Sequence, residues 1–289
     1  MPKRPFHFEF YSVHAHVKDG PTDYLKLVNA LTGLQGYHSE SGDYHVFFGK
    51  ASLDNGQLFI VIYTGHSEKN TLFFDLKTKA ELTESIRPGR FQARKIHAMI
   101  DSGKRLLALE VKRGGLGFLS LASLIEEFSR STSEFKTLDL SFNPIADIGF
   151  ISRINEFNRI QAATITIARP NVDWTDRHTQ LTEVAKESDA RALDVTARAK
   201  RGKSLSKERG IVDFIRASAS SVKSMFQKIK IVGSTGDESG LITLDLSKHV
   251  QHLDIAMETN LETNLPNESD VRAKLAAHLN DAKSDNGEG

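Results

Sequence analysis

Asp101, Glu110 and Lys112 are the residues whose types and spacing come nearest to a reactive arrangement. On a strand, Glu110 and Lys112 project from one face, because side chains alternate. A hairpin turning through Asp101-Ser-Gly-Lys104 would carry Asp101 towards them. Two carboxylates can hold a divalent metal, Mg2+ or Mn2+, while a lysine orients water or steadies a phosphate. The same Glu-x-Lys spacing also makes an ordinary surface ion pair, and no proline precedes Asp101.

Cationic side chains offer a second chemistry. The densest run lies between Arg198 and Arg209, with Arg198, Lys200, Arg201 and Lys203 at its head. Arg87, Arg90, Arg94 and Lys95 form another cluster. Such groups track a nucleic-acid backbone, with affinity that falls as salt rises. No aromatic residue is interleaved with the basic run, so base stacking gains no support. Arg169 follows the alternating run Thr164-Ile-Thr-Ile-Ala168 and precedes Pro170. An arginine outside the carboxyl end of a strand can grip a phosphate or carboxylate. The stretch is equally complete as a strand stop, a turn and an Asp173 helix cap.

Weaker signals complete the inventory. Lys112-Arg-Gly-Gly-Leu-Gly117 joins a strand to a helix, but it is neither a P-loop nor a full dinucleotide fingerprint. His14 and His16 share a strand face as a possible metal pair, with no third ligand indicated by spacing; hydrogen-bonded or solvent-facing histidines are the simpler reading. With no cysteine, disulfides, thiolate nucleophiles and cysteine-bound zinc are excluded.

The elements that must position these residues read as follows. An opening strand from Phe6 towards His16 precedes a helix over 21–34. Strands follow over 44–51, 58–65 and 71–75, then a hairpin over 91–100 and 105–111 and a helix over 118–128. Ser129 to Ser133 reads as a linker. Beyond it, strands and helices alternate: strand 137–142, helix 145–157, strand 162–168, helix 174–187, strand 190–199 and helix 207–222. A hairpin over 225–232 and 241–246 closes the body. The expected class is therefore α+β. A hairpin-rich N-terminal subdomain (1–133) precedes an alternating C-terminal subdomain (134–250) with a mixed, partly parallel sheet. Residues 251–289 read as an acidic, largely flexible tail, helical only near 271–279. Its Glu258, Glu262, Glu268 and Asp270 could fold back over the basic runs.

The bulk numbers fit an ordinary globular chain of 289 residues, 39% hydrophobic and 26% charged, with a net charge of +1. The longest strongly apolar stretch, Leu58 to Tyr63, is far too short to span a bilayer. The start, Met1-Pro-Lys-Arg-Pro-Phe, lacks the apolar run of a signal peptide. A cytoplasmic location and no membrane partner are expected.

Two resemblances follow from these residues. The carboxylates and lysine, with a helix and strand after them, resemble the core of the broad PD-(D/E)xK nuclease superfamily. The segment order over residues 1 to about 250 resembles an uncharacterised bacterial family of the domain-of-unknown-function type. That likeness is carried by Val46-Phe-Phe-Gly49, Phe73-Phe-Asp75, Ile86-Arg-Pro-Gly89, Leu109-Glu110 and Arg169-Pro-Asn-Val-Asp173. It implies a setting near phage-defence or mobile-element genes and transfers no catalytic residue.

The favoured expectation is a non-enzymatic bacterial protein that binds a polyanion, DNA or RNA, in a defence system and needs no cofactor. The alternative is a metal-dependent nuclease using Asp101, Glu110 and Lys112 with Mg2+ or Mn2+. The third is a scaffold that binds a protein encoded nearby.

Overall fold

Strand β1 (Lys3–Val17) is the spine of the molecule, and the alternation of its apolar residues explains why. Phe6, Phe8 and Phe10 point to one face, Tyr11, Val13 and Ala15 to the other, and all six are buried. A computed structural model describes residues 2–18, 20–67, 70–75, 77, 79–87, 89–131, 135–168, 192–221, 224–236 and 240–281. Within them the chain is α+β.

The larger sheet has nine strands. Its main order is β10 (Asp139–Pro144), β1, β9 (Leu106–Glu110), β8 (Arg94–Asp101), β5 (Gln57–His66), β4 (Tyr44–Asp54) and β3 (His38–Ser41). The short β2 (Gly20–Pro21) and β15 (His252–Glu258) also pair with β1. One face packs on α1 (Tyr24–Ala30), the 3-10 turn after it and α2 (Phe118–Arg130). The other face is covered by α5 (Glu268–Asp281), which inserts Val271, Leu275 and Leu279 over Phe8, Phe59, Val61 and Met99. Double burial is why β5 reads as a continuous apolar run rather than an alternating one.

A four-stranded sheet, β12 (Ala192–Arg198), β11 (Arg159–Ala168), β13 (Phe226–Ser234) and β14 (Ile242–Asp245), forms the second body. Its inner face presents Ala163, Ile165, Ile167, Ile229 and Ile231. They pack against Phe150 and Ile154 of α3 (Ile148–Glu156) and Val212 and Ile215 of α4 (Ile211–Ser218). A separate hairpin pairs β6 (Asn70–Asp75) with β7 (Ala80–Ser85).

Where the two sheets meet, polar groups are buried. The Ser12 hydroxyl donates to the Ser224 carbonyl, and His14 Nε2 donates to the same oxygen at 2.9 Å. Burial of the ring holds the His14 pKa down, from its ordinary 6.5 to about 4. The imidazole thus serves as a neutral cross-sheet tie.

Three expectations are corrected. Every described strand pairing in the sheets is antiparallel, so the partly parallel C-terminal sheet is not formed. Strands β12 and β13, joined through α4, run in the same direction but do not pair, because β11 lies between them antiparallel to both. The proposed boundary after residue 133 is not a sheet boundary, because β10 and β15 both pair with β1. Of the expected flexible tail, the described part carries strand β15 and helix α5, ordered because they bury the second face of the large sheet; residues 282–289 lie outside the described residues. The expected helix over 174–187 lies outside the described residues.

Candidate functional site

The hairpin of β8 and β9 separates the carboxylates that were expected to converge. Asp101 pairs with Leu106, and the register continues through Ala98 and Leu109 to set Glu110 beside His97. Asp101 therefore stands four residues along β8 from His97, about 13 Å at the rise of a strand. Asp101 accepts from the Lys104 backbone N–H at 2.8 Å and from Gln57 Nε2 at 2.9 Å, as a turn residue does. The metal-holding triad is not assembled, because alternation placed both acids on one face but at opposite ends of the hairpin.

Glu110 does meet Lys112, in a buried cluster beneath α5. Lys112 Nζ lies 2.7 Å from Glu110 Oε1 and donates to the Lys95 carbonyl at 2.6 Å. His97 donates to Glu110 Oε2 from its backbone N–H at 3.0 Å and from Nδ1 at 2.6 Å. Burial alone would raise the Glu110 pKa, but the His97 hydrogen bond and the His97 and Lys112 charges prevail and lower it. The carboxylate is ionised and enclosed, with Oε2 taken by His97 and Oε1 in ion contact with Lys112. This is the chemistry of a structural clamp rather than of an open metal site.

The basic run fares differently. Arg198 ends β12, and the chain turns at once through Lys200, Arg201, Gly202 and Lys203, all exposed. The Lys203 N–H donates to the Lys200 carbonyl at 2.9 Å, and Gly202 has φ 76°. This is a type II turn, whose third position requires the left-handed backbone that glycine adopts without strain. Both ends of the turn are pinned to β11: Ala199 N–H to the Gln161 carbonyl at 2.8 Å, Leu205 N–H to the Ile160 carbonyl at 2.9 Å. Among the described residues, none of Arg198, Lys200, Arg201 and Lys203 has a carboxylate partner.

The sheet extends this patch. On the outer face of the second sheet, Thr164 sits between Thr196 and Lys230, and Thr166 sits between Asp194 and Lys228. Lys228 is exposed, whereas Lys230 pairs with Asp245 at 3.4 Å. Sequence reasoning missed these two lysines. The alternation Gln227-Lys-Ile-Lys-Ile231 was the available signal, since it turns both lysines outward once the isoleucines turn inward.

The second expected cluster divides. Arg87 and Arg90 are exposed near the entry to β8, and Arg94 donates to the Gly114 carbonyl at 3.4 Å. Lys95 is neutralised by Glu268 of α5, which also lies 3.4 Å from Lys50 Nζ. The Glu268 pKa is lowered: burial opposes this, but the Lys95 and Lys50 contacts prevail. Of the four tail acids, Glu268 is the one that reaches the Arg87–Lys95 cluster, and it does so as a helix anchor. Arg169 lies outside the described residues. The glycines of 114–117 serve packing and helix entry: Gly115 sits against Ile96, and Gly117 is the N-cap of α2. His14 is a buried hydrogen-bonding residue, not half of a surface metal pair.

No described helix is long and apolar enough to cross a membrane. A family model described as Domain of unknown function (DUF4747) matches residues 4–221. No curated protein matches the chain.

Proposed function

Because the chain belongs to this DUF4747 family, whose description names no activity, its own chemistry must carry the reading, and we propose that it binds a polyanion, DNA or RNA. The single observation that carries this is the pinned, unneutralised turn from Arg198 to Lys203, continuous with the polar outer face of the second sheet. A turn whose backbone is already pinned spends little loop-ordering entropy on binding, so the cost left is that of the side chains alone. Phosphates that replace its counterions give affinity without sequence preference. Arg87 and Arg90 are available as outlying contacts; Lys95 is left out because Glu268 already holds it. The defence setting implied by the resemblance is part of the same proposal, and gene neighbourhoods across the family would test it.

The experiment is binding of labelled single- and double-stranded DNA and RNA over a range of salt. Affinity should fall steeply as salt rises. Replacing Arg198, Lys200, Arg201 and Lys203 together by alanine should flatten the log–log salt slope by about 3 to 4. Binding with an unchanged slope in that variant, or no binding at low salt, would end the proposal. Co-purification of a neighbouring protein without nucleic acid would favour the scaffold reading.

A further inference from the structure

The hairpin of β3 and β4 carries a different constellation. Glu40 and His45 are direct cross-strand partners, and His38 lies two residues before Glu40 on the same face. His38 Nε2 is 3.1 Å from His45 Nδ1, and Glu40 Oε2 is 3.7 Å from that same nitrogen. The two ring planes lie 12° apart with centroids separated by 5.3 Å. Centroids so far apart with nitrogens so close require rings that meet edge to edge, nitrogen facing nitrogen. Phe91 lies against the His45 ring at 5.4 Å and 19°, which fixes it. The His45 side chain is only 16% exposed, whereas that of Glu40 is 66% exposed. One side of the trio is therefore held and the other is open.

Two facing imidazole nitrogens share one hydrogen, and a metal can take its place. Zinc-class ions bind imidazole nitrogen and carboxylate oxygen at about 2.0–2.2 Å, so neighbouring ligand atoms in a tetrahedral site stand about 3.3 Å apart. The observed 3.1 and 3.7 Å bracket that separation. We propose that His38, Glu40 and His45 bind a divalent transition metal of the zinc class, with the remaining position open to water or an outside ligand. On binding, the shared hydrogen moves to the remote nitrogen of its own ring. Both imidazoles stay neutral and each offers a lone pair, with no other proton or electron transferred. Two imidazoles and one carboxylate suit zinc, nickel, copper or iron better than magnesium or calcium, which prefer oxygen.

A second trio, His7, His252 and Asp254, is also close enough to hold an ion. Its groups are committed differently: His7 Nδ1 to Asp254 at 2.8 Å, and His252 Nδ1 to the Val250 carbonyl at 3.2 Å. It therefore serves as the internal control. The hairpin belongs to the larger sheet and the proposal is independent of polyanion binding.

The test is calorimetric titration of Zn2+ into the chelator-stripped full chain, repeated with Co2+ while following visible absorption. One ion per hairpin should bind, and Zn2+ should raise the melting temperature. His38→Ala and His45→Ala should each weaken binding on the order of 100-fold. Because His45 packs on Phe91, the exposed His38→Ala decides the matter if His45→Ala proves misfolded by circular dichroism. The double variant His7→Ala/His252→Ala should keep the hairpin ion. Absence of saturable binding, survival of all binding in His38→Ala, or its complete loss in the double variant would overturn the assignment.

Discussion

Over its central strands β1, β9, β8 and β5 the nine-stranded sheet is buried on both faces, by α1 and α2 on one side and α5 on the other; in the four-stranded sheet the inner face is core and the outer face is a polar ladder. The contrast decides what each charged group can do. Under α5, charge must be matched, and Glu110 is held between His97 and Lys112. On the second sheet, water solvates the cations of the 198–203 turn, so they stand without carboxylates at little cost. Beneath α5 the first sheet therefore spends its ionisable groups on cohesion. The second leaves its own available to a partner.

The largest expected effect lies where charge is most enclosed. Glu110→Ala would strand a lysine and a histidine beneath α5 and should cost about 3–5 kcal/mol in denaturant unfolding. Glu110→Gln, which keeps an acceptor, should cost less. If Glu110→Ala proved nearly neutral, water would have to reach the cluster, and the enclosed face would not differ from the open one.

Next comes acid. His14 ties the two sheets as a neutral ring, with its pKa lowered from 6.5 to about 4. The unfolded chain binds the proton first, so stability is full above pH 6.5 and is lost as pH falls through about 4. The loss should be on the order of 3 kcal/mol. Glu110, also lowered, adds its own loss only below its ordinary value of 4.5. His14→Gln keeps a donor for the Ser224 carbonyl and should flatten the curve between pH 6.5 and 4. An unchanged curve would assign the acid sensitivity elsewhere.

Much of this layout was legible. The core of β1, the hairpins of β4 with β5 and β8 with β9, and helices α2 and α3 follow from alternation, turn residues and apolar spacing. Three things were not. Strand β3, His38-Ser-Glu-Ser41, is an exposed edge with no apolar face, so no periodicity marks it, and the His38–Glu40–His45 trio was invisible with it. The helix near 271–279 was expected, but not its docking nor strand β15, because their apolar residues acquire meaning only against the Phe8–Phe59–Met99 face they cover. The run Leu58-Phe-Ile-Val-Ile62 did announce a doubly covered strand, and it was the available clue that something must pack there. Glu110 and Lys112, expected on one face, do meet, but spacing alone did not tell how far along the hairpin Asp101 falls from them.

A smaller effect tests how α5 is held. Glu268 contacts Lys95 and Lys50 at a partly exposed helix start, where salt screens charge. Glu268→Gln should cost about 1 kcal/mol or less, and less again at high salt. A larger loss would mean that the ion pairs, not Val271, Leu275 and Leu279, seat the helix. Leu275→Ala supplies the scale, with an expected loss of about 2–5 kcal/mol.

The smallest effect on stability sharpens the comparison most. Replacing Arg198, Lys200, Arg201 and Lys203 by alanine removes four charges that make no described ion pair and no described side-chain hydrogen bond. The backbone bonds that pin the turn, from Ala199 to Gln161 and from Leu205 to Ile160, need none of those side chains. Each substitution should therefore change stability by no more than about 0.5 kcal/mol, and removing four like charges in one turn relieves repulsion between them. Thermal unfolding at low and high salt checks this. A marked loss of stability would show the cations to be part of the second sheet's own cohesion, as Lys112 is in the first, and would remove the distinction on which the binding proposal rests.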